Sequence, residues 1–253
     1  MTPYQDPFKP KPGETFSKRQ VDKAGDLLRA FFSWEPARGE VFDGHGDVPS
    51  AFAAVAWWRS SHARPLSKLA ANLRYHVARE DALVDGRVDV TQRLKRTETI
   101  GDKLSREPTM KVTQMQDVGG VRACVPSLRH LHAVSRRLKK SWTIHRTRDY
   151  IANPKPSGYR ALHHIVRRDG YLIEVQLRTT FQDAWANQVE DDGHAAGVGF
   201  KFGWGSDAVH TYYALVSQAF ALVEEGRPVP DDLAEELKRG YARIKGVLPR
   251  SAT

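Results

Sequence analysis

The chain has one cysteine in 253 residues, Cys124. A single thiol excludes an internal disulfide and any site built from several thiolates. Its setting, "VRACVP", marks it as a small core residue rather than a nucleophile. Long apolar runs are missing as well. The longest, "AFAAVAWW" (51–58), falls well short of the roughly 20 residues that span a bilayer. The N-terminus shows no apolar stretch of the kind that directs export, so a cytoplasmic protein without membrane attachment is expected. The familiar phosphate-binding loops are absent: there is no GxxxxGK[ST] and no GxGxxG opening a helix. No histidine is followed by aspartate, which removes the His-Asp pair of a metal phosphohydrolase. The 10 histidines, scattered apart from His163-His164, outline no zinc site. Acid is in short supply. Against 39 Lys and Arg stand 30 Asp and Glu, a formal net charge of +9 that favours a polyanionic partner or substrate.

What is present reads as one domain, with 40% hydrophobic residues to build its core. Residues 1–16, with Pro3, Pro7, Pro10 and Pro12, are expected to form an extended arm. Ser17 followed by Gln20 is a capping box, opening an N-terminal helical region over 17–80 with further helices at 50–63 and 65–80. A core over 81–205 follows, then C-terminal helices within 206–253, at 207–224 and 231–245. Inside the core, "DVGGVRACVP" (117–126) reads as a short buried strand, and "SLRHLHAVSRRLKKSW" (127–142) has apolar residues at helical spacing. The expected class is α+β: a mixed, largely antiparallel sheet surrounded by helices.

The clearest local signal is a hairpin. In "RALHHIVRRDGYLIEVQLR" two strand-like runs flank Asp169-Gly170, the pair favoured in a two-residue type I′ turn. Paired positions then sum to 339, which sets Ile165 opposite Glu174, His163 opposite Gln176 and Ala161 opposite Arg178. Opposed residues share a face, so His163 joins Glu174, Gln176 and Arg178 on the polar side. An acid, an amide and a base at alternate positions form an unusual wet face, suited to a long charged ligand. The preceding loop, "NPKPSGYR" (153–160), brings Lys155 and Tyr159 to one rim. Asp117, ahead of the Gly-rich strand, and Glu174 are two carboxylates able to hold Mg²⁺, which binds one or two carboxylates together with substrate phosphates. Arg93, Lys95, Lys103, Arg106, Arg122, Arg148, Lys155 and Arg178 supply cations to neutralise a polyphosphate.

Four segments in order, "RLKRTETIGDKLSR", "QDVGGVR", "RDYIANPKPSGYRALH" and "EVQLRT…WA…E", resemble the synthetase domain of the RelA/SpoT family. The resemblance covers about residues 87–200. The small size is similar to that of the single-domain small alarmone synthetases, toxin-type members included. It implies a nucleotidyltransferase-like synthetase fold and pyrophosphoryl transfer from ATP, with Mg²⁺ held by Asp117 and Glu174 as the catalytic carboxylates. Arg93 and Arg122 resemble arginines that sandwich adenine, and Lys95, Lys103 and Arg106 those that hold the ATP phosphates. Arg148, Lys155 and His163 resemble acceptor-side phosphate contacts, and Tyr159 the ring that stacks on the acceptor base. Gln176 and Arg178 complete the strand signature. The polar face of the strand would then be the floor of a two-nucleotide cleft.

Three readings of the acceptor stay open. GDP or GTP makes the protein an alarmone synthetase. The 3′ end of tRNA makes it a translation-blocking toxin, with an antitoxin protein as partner. A nucleotide- or RNA-binding regulator without catalysis is the third. Asp183 stands where small guanine-using members carry an Asn that contacts the base; a carboxylate accepts but cannot donate as an amide does. Between 129 and 148 there are seven Arg and Lys and no acid, a run suited to an RNA backbone or to a solvated helix face. "DDGHAAGVGFKFGWG" (191–205) reads as a lid or a Gly-rich loop.

Overall fold

Ser17 caps the first helix: its side chain accepts from the Gln20 backbone while the Gln20 side chain reaches back to the Ser17 N–H. This computed structural model describes residues 9–34, 42, 46–79, 89–197, 200 and 206–246. In chain order the elements are α1 (Lys18–Ser33), α2 (Val48–Ser61), α3 (Ala63–Ala78), β1 (Asp89–Leu94), α4 (Thr97–Arg106), β2 (Gly119–Val125) and α5 (Leu128–Ser141). Then come β3 (Ile144–Asp149), β4 (Leu162–Arg168), β5 (Tyr171–Thr179), α6 (Thr180–Ala195), α7 (Asp207–Glu224) and α8 (Asp231–Ile244). The five strands form one hydrogen-bonded sheet in the order β1-β2-β5-β4-β3, so the fold is α+β as the sequence predicts. Among the described residues no helix is long and apolar enough to cross a membrane.

The expected hairpin is present. β4 and β5 are neighbours joined by Asp169-Gly170, both with positive φ (51° and 85°), as a type I′ turn requires. On β5 the alternation holds: Ile173, Val175 and Leu177 are buried, and Glu174 and Gln176 half-buried.

Two compact units divide the chain. The first comprises Met1–Asn72, Thr91–Val121 and Ile165–Val175. In it α1 packs on α2 and α4 around Val21, Leu28, Val55, Trp58, Ile100, Leu104, Val112, Met115 and Val118. The second comprises Leu73–Val90, Arg122–His164 and Gln176–Thr253. There α5 turns Leu131, Val134 and Leu138 inward, while Trp185, Val189, Val209, Tyr213 and Ile244 gather from α6, α7 and α8. His164 on β4 is buried between the Ser135 and Thr147 hydroxyls, each 2.9 Å away. Burial, with Lys139 and His163 nearby, brings its pKa down to about 4 and keeps it neutral.

Two expectations need correction. β3 was not expected, because "IHRTRD" offers one apolar residue and so no period-2 signal; it is an edge strand with His145, Arg146 and Thr147 exposed and no residue fully buried. The stretch 191–205 is not all loop: Asp191–Ala195 continue α6, while 198–199 and 201–205 lie outside the described residues.

Candidate active site

In the first unit the chain turns from β1 into α4 at Lys95, and this residue is fixed three ways. Its N–H donates to Val118 O (2.9 Å), its carbonyl accepts from Arg59 Nε (2.7 Å), and its ammonium lies 3.0 Å from Asp117 Oδ2. Lys103, on α4, reaches the other oxygen of Asp117 at 2.8 Å. Burial would raise the Asp117 pKa, but the two lysine charges outweigh it and hold the carboxyl below its ordinary value. Asp117 is therefore an anion in a two-ammonium cradle. Glu174 is half-buried on β5. Arg93 is exposed on β1, and Arg106 pairs with Asp102 one turn back on α4 (2.9 Å). The oxygen donors of Asp117 and Glu174 fit a hard divalent cation such as Mg²⁺. Each Asp117 oxygen keeps a lone pair after accepting one ammonium.

The second unit carries Arg122, Arg148, Lys155, Tyr159, His163, Gln176 and Arg178. Of these, Lys155, His163 and Arg178 meet at Tyr159. Gly158 ahead of it has φ +89°, and a Cβ there would lie 2.9 Å from Ala214 Cα on α7; only glycine lets the loop come this close. The Tyr159 hydroxyl shares a 2.7 Å hydrogen bond with His163 Nε2 and accepts one from Arg178 Nη2 (3.2 Å). Lys155 Nζ sits 5.1 Å from the Tyr159 ring centroid and 4.9 Å from that of Tyr150; the Arg178 guanidinium carbon is 5.3 Å from the Tyr159 ring. These are cation–π distances. The rim read from the sequence is thus built, with Tyr150 as a second ring.

Arg178 is buried and fully engaged at its terminus: Nη1 donates to Asp183 Oδ1 (3.0 Å), Nη2 to Tyr159 and to Gln176 Oε1 (3.2 Å). Burial would lower its pKa, but Tyr159 and Asp183 reverse the effect and raise it. Its Nε–H is buried with no acceptor among the described residues. An orphaned donor of that kind is costly, and it offers a ligand a hydrogen bond. Arg122, grouped with the ATP residues by sequence, lies 3.2 Å from Asp183. His163 is buried with its Nε2 on Tyr159, so it orients the ring. Arg148 is half-buried on β3.

Among the described residues one trio has the spacing of a metal site, Asp89, Cys124 and Asp183. Burial, with Asp183 and Asp89 beside it, pushes the Cys124 thiol up to about 12, so it stays protonated, and Asp183 already serves two arginines. Cys124 is half-buried on the same strand face as Arg122, not in the core as its neighbours imply, yet it is no nucleophile. Sequence reasoning missed Tyr150, Asp183 as a counter-ion, and the buried Arg160–Glu224 pair. No local pattern names partners that meet only through tertiary contact.

The fold is an α+β sheet with helices, carrying a lysine–carboxylate cluster in one unit and a tyrosine-centred cluster in the other. It resembles small alarmone synthetase 2 from Bacillus subtilis (TM-score 0.57, 22% identity, 67% of this chain and 93% of that one). It likewise resembles small alarmone synthetase 1 from the same organism bound to its product pppGpp (TM-score 0.55, 22% identity, 72% and 97%). At that identity the likeness is one of fold. Residues 92–200 match the region found in RelA/SpoT proteins, somewhat under half of this chain. Among curated relatives, GTP pyrophosphokinase YjbM of Bacillus subtilis (strain 168) is 33% identical over 109 residues, 38% of this chain and 52% of the relative. GTP pyrophosphokinase YwaC of the same strain is 33% identical over 110 residues, with the same coverage. The chain spans about half the length of these relatives.

Proposed function

We propose that the protein is a pyrophosphokinase that moves the β,γ-pyrophosphate of ATP onto the 3′-hydroxyl of GDP or GTP. The observation that carries this reading is Asp117, held as an anion between Lys95 and Lys103 inside the RelA/SpoT region. In the first unit, Lys95 and Lys103 can turn from Asp117 to ATP phosphates, with Arg93 and Arg106 as further cations. Asp117 and Glu174 would hold Mg²⁺, which when bound neutralises phosphate charge and leaves the β-phosphorus open to attack. Glu174 is the base that takes the hydroxyl proton: the O3′–Pβ bond forms, the Pα–O–Pβ bridge breaks, and AMP leaves. In the second unit Tyr159, pinned by His163 and Arg178, stacks on the acceptor base; such stacking is worth ~1–3 kcal/mol. Lys155, Arg148 and the orphaned Arg178 Nε–H serve acceptor phosphate or sugar. Both substrates are cytoplasmic nucleotides. Purified protein given γ-labelled ATP with GDP, GTP, ATP or deacylated tRNA in parallel tests the reading. Label on GDP or GTP with AMP release supports it; absence of AMP release with every acceptor returns the protein to a non-catalytic nucleotide-binding regulator.

One observation favours a second acceptor, the tRNA 3′ end, which would make the protein a toxin and call for an antitoxin. Arg129, Arg136, Lys139 and Lys140 are exposed on α5, and Arg136, Arg137 and Lys140 line an open depression. Contacts to several phosphates weaken log-linearly with salt, at about 0.9 per duplex phosphate. Reversing Arg136, Arg137, Lys139 and Lys140 to Glu should then abolish labelling of tRNA and spare ATP affinity and labelling of GDP. Equal loss of both activities, or of neither, removes the second reading.

A further inference from the structure

The RelA/SpoT region ends at residue 200, yet α7, beyond it, holds the acceptor-side loop in two places. Ser217 Oγ donates to the Gly158 carbonyl at 2.5 Å, and the Gly158 backbone lies against Ala214 and Tyr213. Glu224, the last residue of α7, makes the second attachment, and its side chain is 2% exposed. Its Oε2 accepts from Arg160 Nη1 at 2.5 Å. Its Oε1 accepts from the Thr179 hydroxyl and, at 3.3 Å, from Gln182 Nε2. Thr179 and Gln182 are the capping box of α6. Arg160 follows Tyr159 in the chain, and Thr179 follows Arg178.

A carboxylate at a helix C-terminus opposes the helix dipole, and burying it adds a desolvation cost. Buried ion pairs can often be exchanged for apolar side chains without loss of stability, so stability alone does not account for this one. What Glu224 does supply is geometry, one rigid group bonded to the chain neighbours of both Tyr159 and Arg178. We infer that Glu224 is a positioning residue for the acceptor site, fixing the Tyr159 ring against the Arg178 guanidinium, and that α7 is a working part of the site. The inference rests on the reading of Tyr159 and Arg178 as acceptor contacts. Glu224 touches no substrate; it acts through Arg160 and Thr179.

The test uses the full chain with Glu224→Gln and the double variant Arg160→Met/Glu224→Met, which replaces the pair by apolar volume and keeps the fold within reach of measurement. KM for ATP and for the acceptor are read separately, and hydrogen exchange over 153–164 and 179–183 is followed without substrate. The expected result is an acceptor KM raised about ten-fold or more, since misplacement by ~1 Å can cost ~10²-fold, with the ATP KM unchanged. Exchange should rise in both segments and stay unchanged in α4. A folded double variant with wild-type acceptor KM and wild-type exchange overturns the proposal, and so does equal loss toward both substrates. If wild-type protein uses no acceptor at all, the acceptor reading fails by itself. The exchange pattern then still decides whether Glu224 fixes the two segments.

Discussion

Asp117→Asn removes the anion between Lys95 and Lys103 while keeping the side-chain volume. The cost at neutral pH follows from burial. Exposed ion pairs are worth about 0–1 kcal/mol and breaking a buried one costs about 3–5 kcal/mol; these three side chains, 20% to 26% exposed, fall between. A loss of about 1–3 kcal/mol is expected, limited because both lysines can swing into water. The pH dependence is the sharper test. The lysines hold the folded-state pKa of Asp117 below the ordinary 3.8, so its contribution is whole above pH 3.8 and is lost as the pH falls through the folded value. Urea unfolding of wild type and variant, from about pH 7 down to about pH 2.5, should show a gap that is constant above pH 3.8 and closes in the acid limb. A gap that persists unchanged to the acid limit, or no gap at neutral pH, refutes the cradle. ATP should also bind the variant at least as tightly as wild type while turnover falls, because the freed lysines still meet phosphate.

Glu174→Gln keeps a polar group on the half-buried face of β5, so melting should be unaffected while turnover drops by ~10² or more; near-normal turnover removes Glu174 from the chemistry. Tyr159→Ala should raise the acceptor KM roughly 5- to 150-fold, the worth of one stacked base, and leave the ATP KM alone. Parallel changes in both constants would mean that Tyr159 supports the fold rather than the acceptor.

The elements were legible wherever a local rule acts alone. The Ser17/Gln20 box, the Asp169-Gly170 turn and the 3.6-residue stripe of α5 are each set within a few residues, and each lies where expected. β3 escaped because an edge strand bathed in solvent needs no apolar alternation. Among the candidate side chains, the sequence named Lys95, Lys103, Asp117, Tyr159, His163, Gln176 and Arg178, and the structure sets the first three in one unit and the other four in the second. What sequence could not give was who neutralises whom. His163 faces a phenol and not solvent, Arg122 sits on Asp183, and Glu224, 64 residues from Arg160, closes a pair that no spacing rule announces.

Asp183 shows how such pairing changes a prediction. Read as a base contact, its carboxylate lacks the donors of an amide. Its oxygens, however, are taken up internally: Oδ1 by Arg178 (3.0 Å) and Arg122 (3.2 Å), Oδ2 by Asn187 Nδ2 (3.1 Å). Arg178 is buried, and charge-assisted hydrogen bonds are about twice as strong as neutral ones. Asp183→Asn should therefore destabilise the protein by about 2–4 kcal/mol, somewhat less than the full loss of a buried partner, because the amide oxygen can still accept one bond. Arg178, no longer anchored by charge, should loosen from the Tyr159 hydroxyl, weakening GDP and ADP alike at the acceptor site. Thermal melting and calorimetric titration with each nucleotide separate the two roles. A variant that melts like wild type but changes its choice between GDP and ADP would make Asp183 a reader of the base. A variant that loses stability and binds both nucleotides more weakly, with their ratio kept, makes it the counter-ion on which the acceptor clamp is built.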